Sequence, residues 1–490
     1  MYRRILKLSF IFILVSTSSW AGGLPGGAMP DGFLWGSYVS AHSTEGNHAN
    51  DWTLWESVPG HVVDGSTSGQ ACNHWELFPE DHVWMRKLGQ NSVMISLEWS
   101  RIEPTRGNFD DLAIQHYKAV IESIKKNRME PIVVLWDRTF PQWIAAYGGL
   151  EYPGVMLDFG NYAGKVAKSF GNLVDYWIPV RDPVGFASKS YKDGVYPPGK
   201  SDIAAYTKAV ICLFGMHRGG WAAIKANDTI GAEGKNPCQV GIWVGMRWVR
   251  PNKNDNPLDV SLAKSYDGLS CLAFLDGIMK GDLVLTNPQH QGPKGKGNPN
   301  QGNQGLPPEP PSYDKRNADF ILVGYNGLDE IRFNVLKPLF VEKVVPPGMS
   351  VDDAGQVVFP EGLTSVLLGL KKYPIPLYVN LSIADAEGTK RGAFLIDHVR
   401  QIRSALVQGS NVRGFFYDSF LSGFEFNRGF SLKRGLLNVN YEVQEREPAG
   451  GADVFTVLAK SNGANETPRK RGPRKTKISQ PEPLPPQPPQ

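Results

Sequence analysis

Cysteine, net charge and long apolar runs are all scarce in this chain of 490 residues. The four cysteines are Cys72, Cys212, Cys238 and Cys271. Their spacings match no zinc motif, so no metal site and no cofactor is predicted. The cysteines are expected either to be buried free thiols or to form one or two disulfides, and the sequence does not decide between the two. A net charge of +4 is small for this length, which argues against a nucleic-acid partner.

The first 21 residues contain a short apolar run. Basic residues at positions 3, 4 and 7 precede an apolar stretch at residues 8–15, too short to span a bilayer. Residues 19–21 read Ser-Trp-Ala, a small-x-small cleavage pattern. Residues 1–21 are therefore predicted to be a secretory signal, and the protein is expected to be secreted, periplasmic or extracellular. An uncleaved N-terminal anchor is the alternative. No later run is apolar enough to cross a membrane.

A packed core is indicated by a hydrophobic fraction of 41% and thirteen tryptophans. Residues 176–183 read Tyr-Trp-Ile-Pro-Val-Arg-Asp-Pro, a short buried strand ended by a charged pair and a proline. Burying Arg181 and Asp182 is costly unless the charges are paired or used. Such residues at strand tips are where a βα barrel carries its chemistry.

Three further segments combine apolar strand residues with polar or charged residues at or near the end of the strand. Residues 33–36 read Phe-Leu-Trp-Gly, residues 40–46 Ser-Ala-His-Ser-Thr-Glu-Gly, and residues 94–101 Met-Ile-Ser-Leu-Glu-Trp-Ser-Arg. In this order they resemble the motifs of glycoside hydrolase family 1, the β-glucosidase family, and the resemblance spans residues 33–441. It implies an α/β fold, a single (β/α)8 TIM barrel at residues 30–445.

Two segments have a composition that cannot form a core. Residues 287–312 are rich in Gly, Pro, Asn and Gln and are predicted to be a disordered loop insertion within the barrel. Residues 462–490 carry a basic cluster followed by a Pro/Gln run and are predicted to be a disordered tail. The tail is expected to be solvated, and contact with an anionic surface is the alternative.

The resemblance places the two catalytic positions at the ends of strands four and seven, where the family has an acid/base Glu and a nucleophilic Glu. Asp182 stands at the first position and is one methylene shorter. The nucleophile position falls on Leu381, or on Asn380 if a one-residue gap is placed earlier. Neither side chain is a carboxylate, and Met94 replaces the arginine that holds the nucleophile in the family.

Most positions that grip the sugar in the family are also altered. The predicted substrate-binding positions are Ser43, Asp137, Arg181, Asn326, Asp418 and Glu425, of which only Glu425 keeps the family residue. With Arg138 and Asp182, the charged members are expected to meet at the barrel mouth. Three interpretations remain: internal pairing of the charges, a new site for a carbohydrate or another polar small molecule, or a rebuilt inverting hydrolase.

The sequence thus predicts a secreted β-glucosidase-like barrel that has lost retaining hydrolysis and is non-catalytic or repurposed for ligand binding. Whether it is an enzyme stays open. The alternative is an active O-glycosyl hydrolase with Asp182 as the acid and Asp137 or Asp418 as a base acting through water, which needs carboxyls about 6.5–9.5 Å apart.

Overall fold

The computed structural model describes residues 27–232, 237–267, 271–283, 316–337 and 340–466. The predicted signal at 1–21, the predicted insertion at 287–312 and most of the predicted tail lie outside these ranges, so those three assignments stay predictions.

Eight parallel strands close into a barrel. They are β1 (Leu34–Val39), β2 (Ser92–Ser96), β3 (Glu130–Trp136), β4 (Tyr176–Val180), β5 (Gln239–Pro251), β6 (Phe320–Phe333), β8 (Leu377–Leu381) and β9 (Val412–Asp418), with β7 (Val341–Val344) antiparallel to β6. Neighbours pair in parallel, the β5–β6 ladder joins the two halves, and β9 returns to β1. This confirms the predicted (β/α)8 barrel.

Helices surround the barrel and a short hairpin follows it. The helices are α1 (Ala41–Thr44), α2 (Asp51–Glu56), α3 (His74–Lys87), α4 (Trp99–Ile102), α5 (Asp111–Lys126), α6 (Gln142–Tyr147), α7 (Val155–Phe170), α8 (Pro183–Ala187), α9 (Ile203–Asn227), α10 (Pro257–Asp267), α11 (Ala273–Lys280), α12 (Glu361–Gly369), α13 (Arg391–Val407) and α14 (Ala452–Lys460), and the hairpin is β10 (Leu437–Asn440) with β11 (Glu445–Pro448). None of these helices has the length and apolar character that a bilayer span requires.

Helix α5 shows how local sequence produces these elements. The side chain of Asp110 accepts hydrogen bonds from two amides of the first turn and so caps the helix. Lys125 and Lys126 lie in the last turn, where positive charge is favourable. The buried side chains recur at three- and four-residue spacing, at Ala113, Tyr117, Val120, Ile121 and Ile124, so one face packs on the barrel.

The strands are apolar on both faces because helices cover the outside and side chains fill the inside. Interior side chains include Tyr38, Met94, Ile132, Ile178, Leu322 and Phe416, all buried. They close the barrel below its C-terminal mouth. The site therefore stands on a packed floor rather than over a pore.

The packed chain continues past residue 445, because Phe455 and Leu458 of α14 are fully buried. Asn462 follows the helix and accepts a hydrogen bond from the indole of Trp35 at 2.9 Å. The cysteines form no disulfide in the described ranges, and burial raises the pKa of the Cys72 thiol to about 12.

Gly36 in β1 marks a close approach of two barrel strands. A Cβ atom there would lie 2.6 Å from the Ser92 carbonyl oxygen and 2.6 Å from the Phe416 ring. We expect Gly36→Ala to lower the free energy of unfolding by about 3 kcal/mol through overpacking. Gly160→Ala in α7, where a Cβ meets nothing within 4 Å, is the control and should gain about 0.5–1 kcal/mol. Denaturant titration measures both changes, and equal effects would contradict the prediction.

Candidate active site at the barrel mouth

A cavity of about 1050 Å³ opens at the C-terminal ends of the strands. Its lining includes Asp182 after β4, Gly245 on β5, Asn326 on β6, Asn380 on β8 and Asp418 on β9. Because the carboxyl ends of parallel strands meet at one end of a barrel, residues far apart in sequence converge here. The volume is ample for a sugar-sized ligand.

Arg181 occupies the floor of this cavity and is 6% exposed. Its Nη1 donates to Asp137 Oδ1 at 3.2 Å and Oδ2 at 3.0 Å, while Nη2 donates to Asp418 Oδ2 at 2.5 Å. The guanidinium also lies over the rings of Tyr38 and Trp243, 4.5 and 4.4 Å from their centroids. One cation thus pairs with two of the acids and contacts two aromatic faces.

Asp137 is held ionised beneath the cavity. Burial acts to raise its pKa, but the charges of Arg181 and Arg138 and hydrogen bonds from the Ser40 and Tyr38 hydroxyls outweigh burial and lower the pKa to about 2. The carboxylate itself is not among the described cavity-lining side chains. A buried, arginine-paired carboxylate is poorly suited to activate a water as a general base.

Asp182 is fixed to the backbone at the cavity wall. It caps α8 with a left-handed backbone (φ 40°), and its Oδ1 accepts from the amides of Gly185 at 3.3 Å and Gly245 at 3.1 Å. A Cβ at Gly245 would lie 2.6 Å from that oxygen, so glycine is needed for the approach. The carboxyl is half-buried and lines the cavity.

At the end of β8, the seventh strand of the barrel, the side chains of the two candidate nucleophile positions point in opposite directions. Asn380 lines the cavity and lies opposite Gly324 and Phe416 in the strand register. Leu381 is 1% exposed and lies opposite Tyr417, whose hydroxyl accepts a hydrogen bond from Arg391 on the helix side. Since successive side chains of a strand point to opposite faces, Leu381 packs in the core outside the cavity, and Asn380 is the side chain that faces it.

The remaining predicted positions divide between the cavity and the barrel interior. Ser43, Asn326 and Glu425 line the cavity, whereas Met94 is fully buried in the floor. Burial raises the pKa of the Glu425 carboxyl, and nearby Arg434 opposes that rise.

Sequence reasoning missed Arg434. Its Nε lies 3.5 Å from Glu425 Oε2, and its Nη1 donates to Ser382 Oγ at 3.0 Å, so it joins the ends of β8 and β9. The only sequence signal was a basic pair, Lys433 and Arg434, shortly after the retained Glu425. Nothing in that local pattern indicates that the guanidinium turns into the cavity.

This fold, with polar side chains gathered at the strand ends, is that of a (β/α)8 barrel. The family model described as Glycosyl hydrolase family 1 matches residues 26–302 and 322–464. The chain belongs to glycosyl hydrolase family 1.

Named relatives cover most of the chain. A beta-galactosidase of Pyrococcus woesei is 26% identical over 505 residues, spanning 89% of this chain and 98% of that protein. The probable inactive beta-glucosidase 14 of Oryza sativa subsp. japonica is 25% identical over 480 residues, spanning 87% of this chain and 90% of that protein.

Solved structures agree with the fold. A family 1 b-glucosidase from Thermotoga maritima superposes with a TM-score of 0.78 at 22% identity, covering 89% of this chain and 98% of its own. A beta-glycosidase from Pyrococcus horikoshii gives 0.77 at 28% identity, with 89% and 95% covered. The Thermotoga enzyme has also been solved in complex with glucoimidazole.

Proposed function

We propose that this family 1 barrel does not hydrolyse glycosides by the retaining mechanism and binds a carbohydrate or another polar small molecule. The observation that carries the proposal is Asn380, an amide where a cavity-facing carboxylate is needed at the end of β8. An amide cannot form the covalent sugar ester of the retaining reaction.

The retaining reaction needs two carboxyl groups about 5–5.5 Å apart, one to protonate the leaving oxygen and one to attack the anomeric carbon. Asp182 can supply the first, although it is one methylene short, and a misplacement of about 1 Å costs on the order of a hundredfold in rate. On the other side, Met94 leaves no arginine to orient a nucleophile. The acid/base step is therefore weakened, and the nucleophilic step has no attacking carboxylate oxygen.

The ion pairs of Arg181 support a structural use of the remaining acids. Asp137 and Asp418 share its guanidinium. Either carboxylate would weaken its ion pair with Arg181 if it took a proton from water, which makes both poor general bases. This disfavours the inverting alternative, in which Asp182 is the acid and Asp137 or Asp418 the base. Asp418 is the stronger of the two base candidates because it lines the cavity.

Ligand binding is favoured because the cavity is roomy and its wall carries side chains that are both charged and hydrogen-bonding. Relatives give two precedents: the Thermotoga barrel is solved with the sugar-like inhibitor deoxynojirimycin, and the rice relative is described as probably inactive. We further propose that the protein is exported, on the strength of the signal-like residues 1–21.

The test is an assay of the purified protein on aryl β-glucosides and β-galactosides, together with a covalent fluorosugar probe. We expect no turnover above background and no labelled peptide, since no carboxylate faces the anomeric carbon from β8. Turnover that Asp182→Asn and Asp418→Asn each abolish would establish the inverting alternative. Labelling of any residue in 377–390 would refute the proposal.

A further inference from the structure

A buried cluster beside the cavity brings two histidines and a glutamate together. His42 Nδ1 lies 3.4 Å from His48 Nε2, which lies 3.4 Å from Glu98 Oε2. One donor atom from each of the three residues falls within 4.8 Å of the others. Zinc–nitrogen bonds of about 2.0–2.1 Å in a tetrahedron place two ligand atoms about 3.3–3.4 Å apart. The His42–His48 and His48–Glu98 separations match two edges of such a tetrahedron.

The outer contacts of the cluster point the same way. His42 Nε2 lies 3.4 Å from Glu56 Oε2, close enough for an ion pair but without a hydrogen bond. His48 Nδ1 lies 3.2 Å from the Gly46 carbonyl oxygen and 3.4 Å from Arg101 Nη2. Metal-binding histidines characteristically give their second N–H to a carboxylate or a backbone carbonyl, which frees the first nitrogen for the metal. In addition, Asn50 Nδ2 lies 3.1 Å from His42 Nδ1 and donates to it, as an unprotonated nitrogen requires.

The carboxylate of the cluster is oriented as well. Glu98 accepts a hydrogen bond from Ser100 Oγ at 2.8 Å and from Thr139 Oγ1 at 3.0 Å. These contacts hold the Glu98 carboxylate in place, with Oε2 3.4 Å from His48 Nε2.

The charged groups around the cluster indicate the charge that a bound cation would carry. Three buried carboxylates belong to the cluster or to its outer contacts: Glu45, Glu56 and Glu98. The guanidinium in the same set of contacts is that of Arg101, which pairs with Glu45 at 2.9 Å and lies beside His48. Three negative charges less one positive charge leave two to be neutralised. A neighbouring buried carboxyl, Asp51, does not change the count, because burial, together with the charge of Glu98, raises its pKa to about 8 and keeps it protonated.

We propose that His42 Nδ1, His48 Nε2 and Glu98 Oε2 form a binding site for a divalent transition-metal ion, with zinc the best fit. Two imidazoles and a carboxylate suit zinc by ligand type, and one divalent ion balances the charge. Metal binding displaces the hydrogen bond that Asn50 donates to His42 Nδ1.

The site joins three parts of the barrel mouth. His42 lies in α1 after β1, Glu98 precedes α4 after β2, and His48 lies on the intervening loop. The loop residues Asn47 and Ala49 are exposed, which gives the ion a route to His48 from solvent. Ser43, next to His42, lines the cavity, so the ion would fix one wall of the ligand site. The inference does not depend on the proposed loss of hydrolysis.

The test is a zinc titration of the untagged full chain after chelator treatment and dialysis, followed by calorimetry and elemental analysis. We expect one zinc per chain with a dissociation constant at or below about 1 µM, corresponding to about −8 kcal/mol. His48→Gln should weaken binding at least about 100-fold, and Glu56→Gln about 10- to 100-fold. His61→Gln is the matched control, because His61 stacks on Trp55 outside the cluster and should bind zinc like the wild type.

Cobalt substitution keeps the test decisive if the His48 variant fails to fold. Wild-type protein loaded with Co²⁺ should show visible bands of tetrahedral intensity that an equivalent of Zn²⁺ removes. Fewer than about 0.1 zinc per chain, or equal weakening by His48→Gln and His61→Gln, would overturn the proposal and leave a hydrogen-bonded proton cluster. A weak octahedral cobalt spectrum would do the same.

Discussion

Replacing Arg181 with methionine should lower the free energy of unfolding by about 3–5 kcal/mol, the usual loss when one partner of a buried ion pair is removed. Methionine fills a similar volume but leaves Asp137 buried without its principal countercharge. Asp418 is less affected, because its side chain is 17% exposed and water can replace the guanidinium. Urea denaturation at neutral pH measures the loss.

The pH dependence gives an independent check on the same pair. A carboxyl with a depressed pKa contributes stability that is present above its ordinary pKa of about 3.9 and is lost as pH falls through the folded value. For Asp137 that window runs from about 4 down to about 2. In Arg181→Met, burial raises the Asp137 pKa instead, so the variant should become more stable as pH falls from about 7 to 4.

Two control variants separate pairing from packing. Asp418→Asn should cost about 1 kcal/mol or less, because that pair is partly exposed. Combining Arg181→Met with Asp137→Leu removes both charges and should recover most of the loss, as buried ion pairs replaced by apolar residues often do. A double variant as unstable as Arg181→Met alone would show that packing of the guanidinium stem, and not the charge pair, is decisive.

Placing a glutamate at each of the two candidate catalytic positions should give a protein that hydrolyses aryl glycosides by the retaining mechanism. The variant carries Asp137→His, Arg181→Asn, Asp182→Glu and Asn380→Glu, so both members of the buried pair leave together while two carboxylates enter. We expect its kcat/KM on activated aryl β-glucosides to exceed that of the wild type at least about 100-fold, the lower end of what positioned acid–base groups contribute. Stopped and continuous release assays of the aryl group measure it.

The matched control is the same variant with glutamine in place of glutamate at position 380. It has the same length and hydrogen-bonding capacity but no attacking oxygen, so it should stay at background. A fluorosugar should label residue 380 in the glutamate variant only. If that variant folds, as judged by circular dichroism, but is neither active nor labelled, our assignment of Asn380 to the nucleophile position is wrong.

Strand ends were partly predictable because barrel strands are short and apolar and end at charged residues or proline, whereas the order of the strands followed from the resemblance to the family motifs. Residues 176–183 illustrate this, since a buried strand and a terminal Arg-Asp-Pro are both visible locally. The side-chain orientation of Leu381 and Asn380 was not, because shifting the alignment by one residue moves every side chain to the opposite face. Only strand pairing with β6 and β9 sets that register.

The partners of charged residues were even less accessible to sequence reasoning. Arg181 reaches Asp137 and Asp418 across 44 and 237 residues. Glu98 and His48 converge in the same way on His42, although no spacing rule links the three. Such contacts depend on where the barrel places its strand ends.

The order of the strand-end motifs and its resemblance to family 1 were enough to predict the barrel and its family, and residue identity shows that neither Asn380 nor Leu381 is a carboxylate. Three features became visible only in the folded chain: which side chain faces the cavity, which acids Arg181 neutralises and where two histidines meet a glutamate. The physical reason is that strand register and barrel closure fix side-chain directions and long-range charge contacts, which the local pattern of residues does not contain.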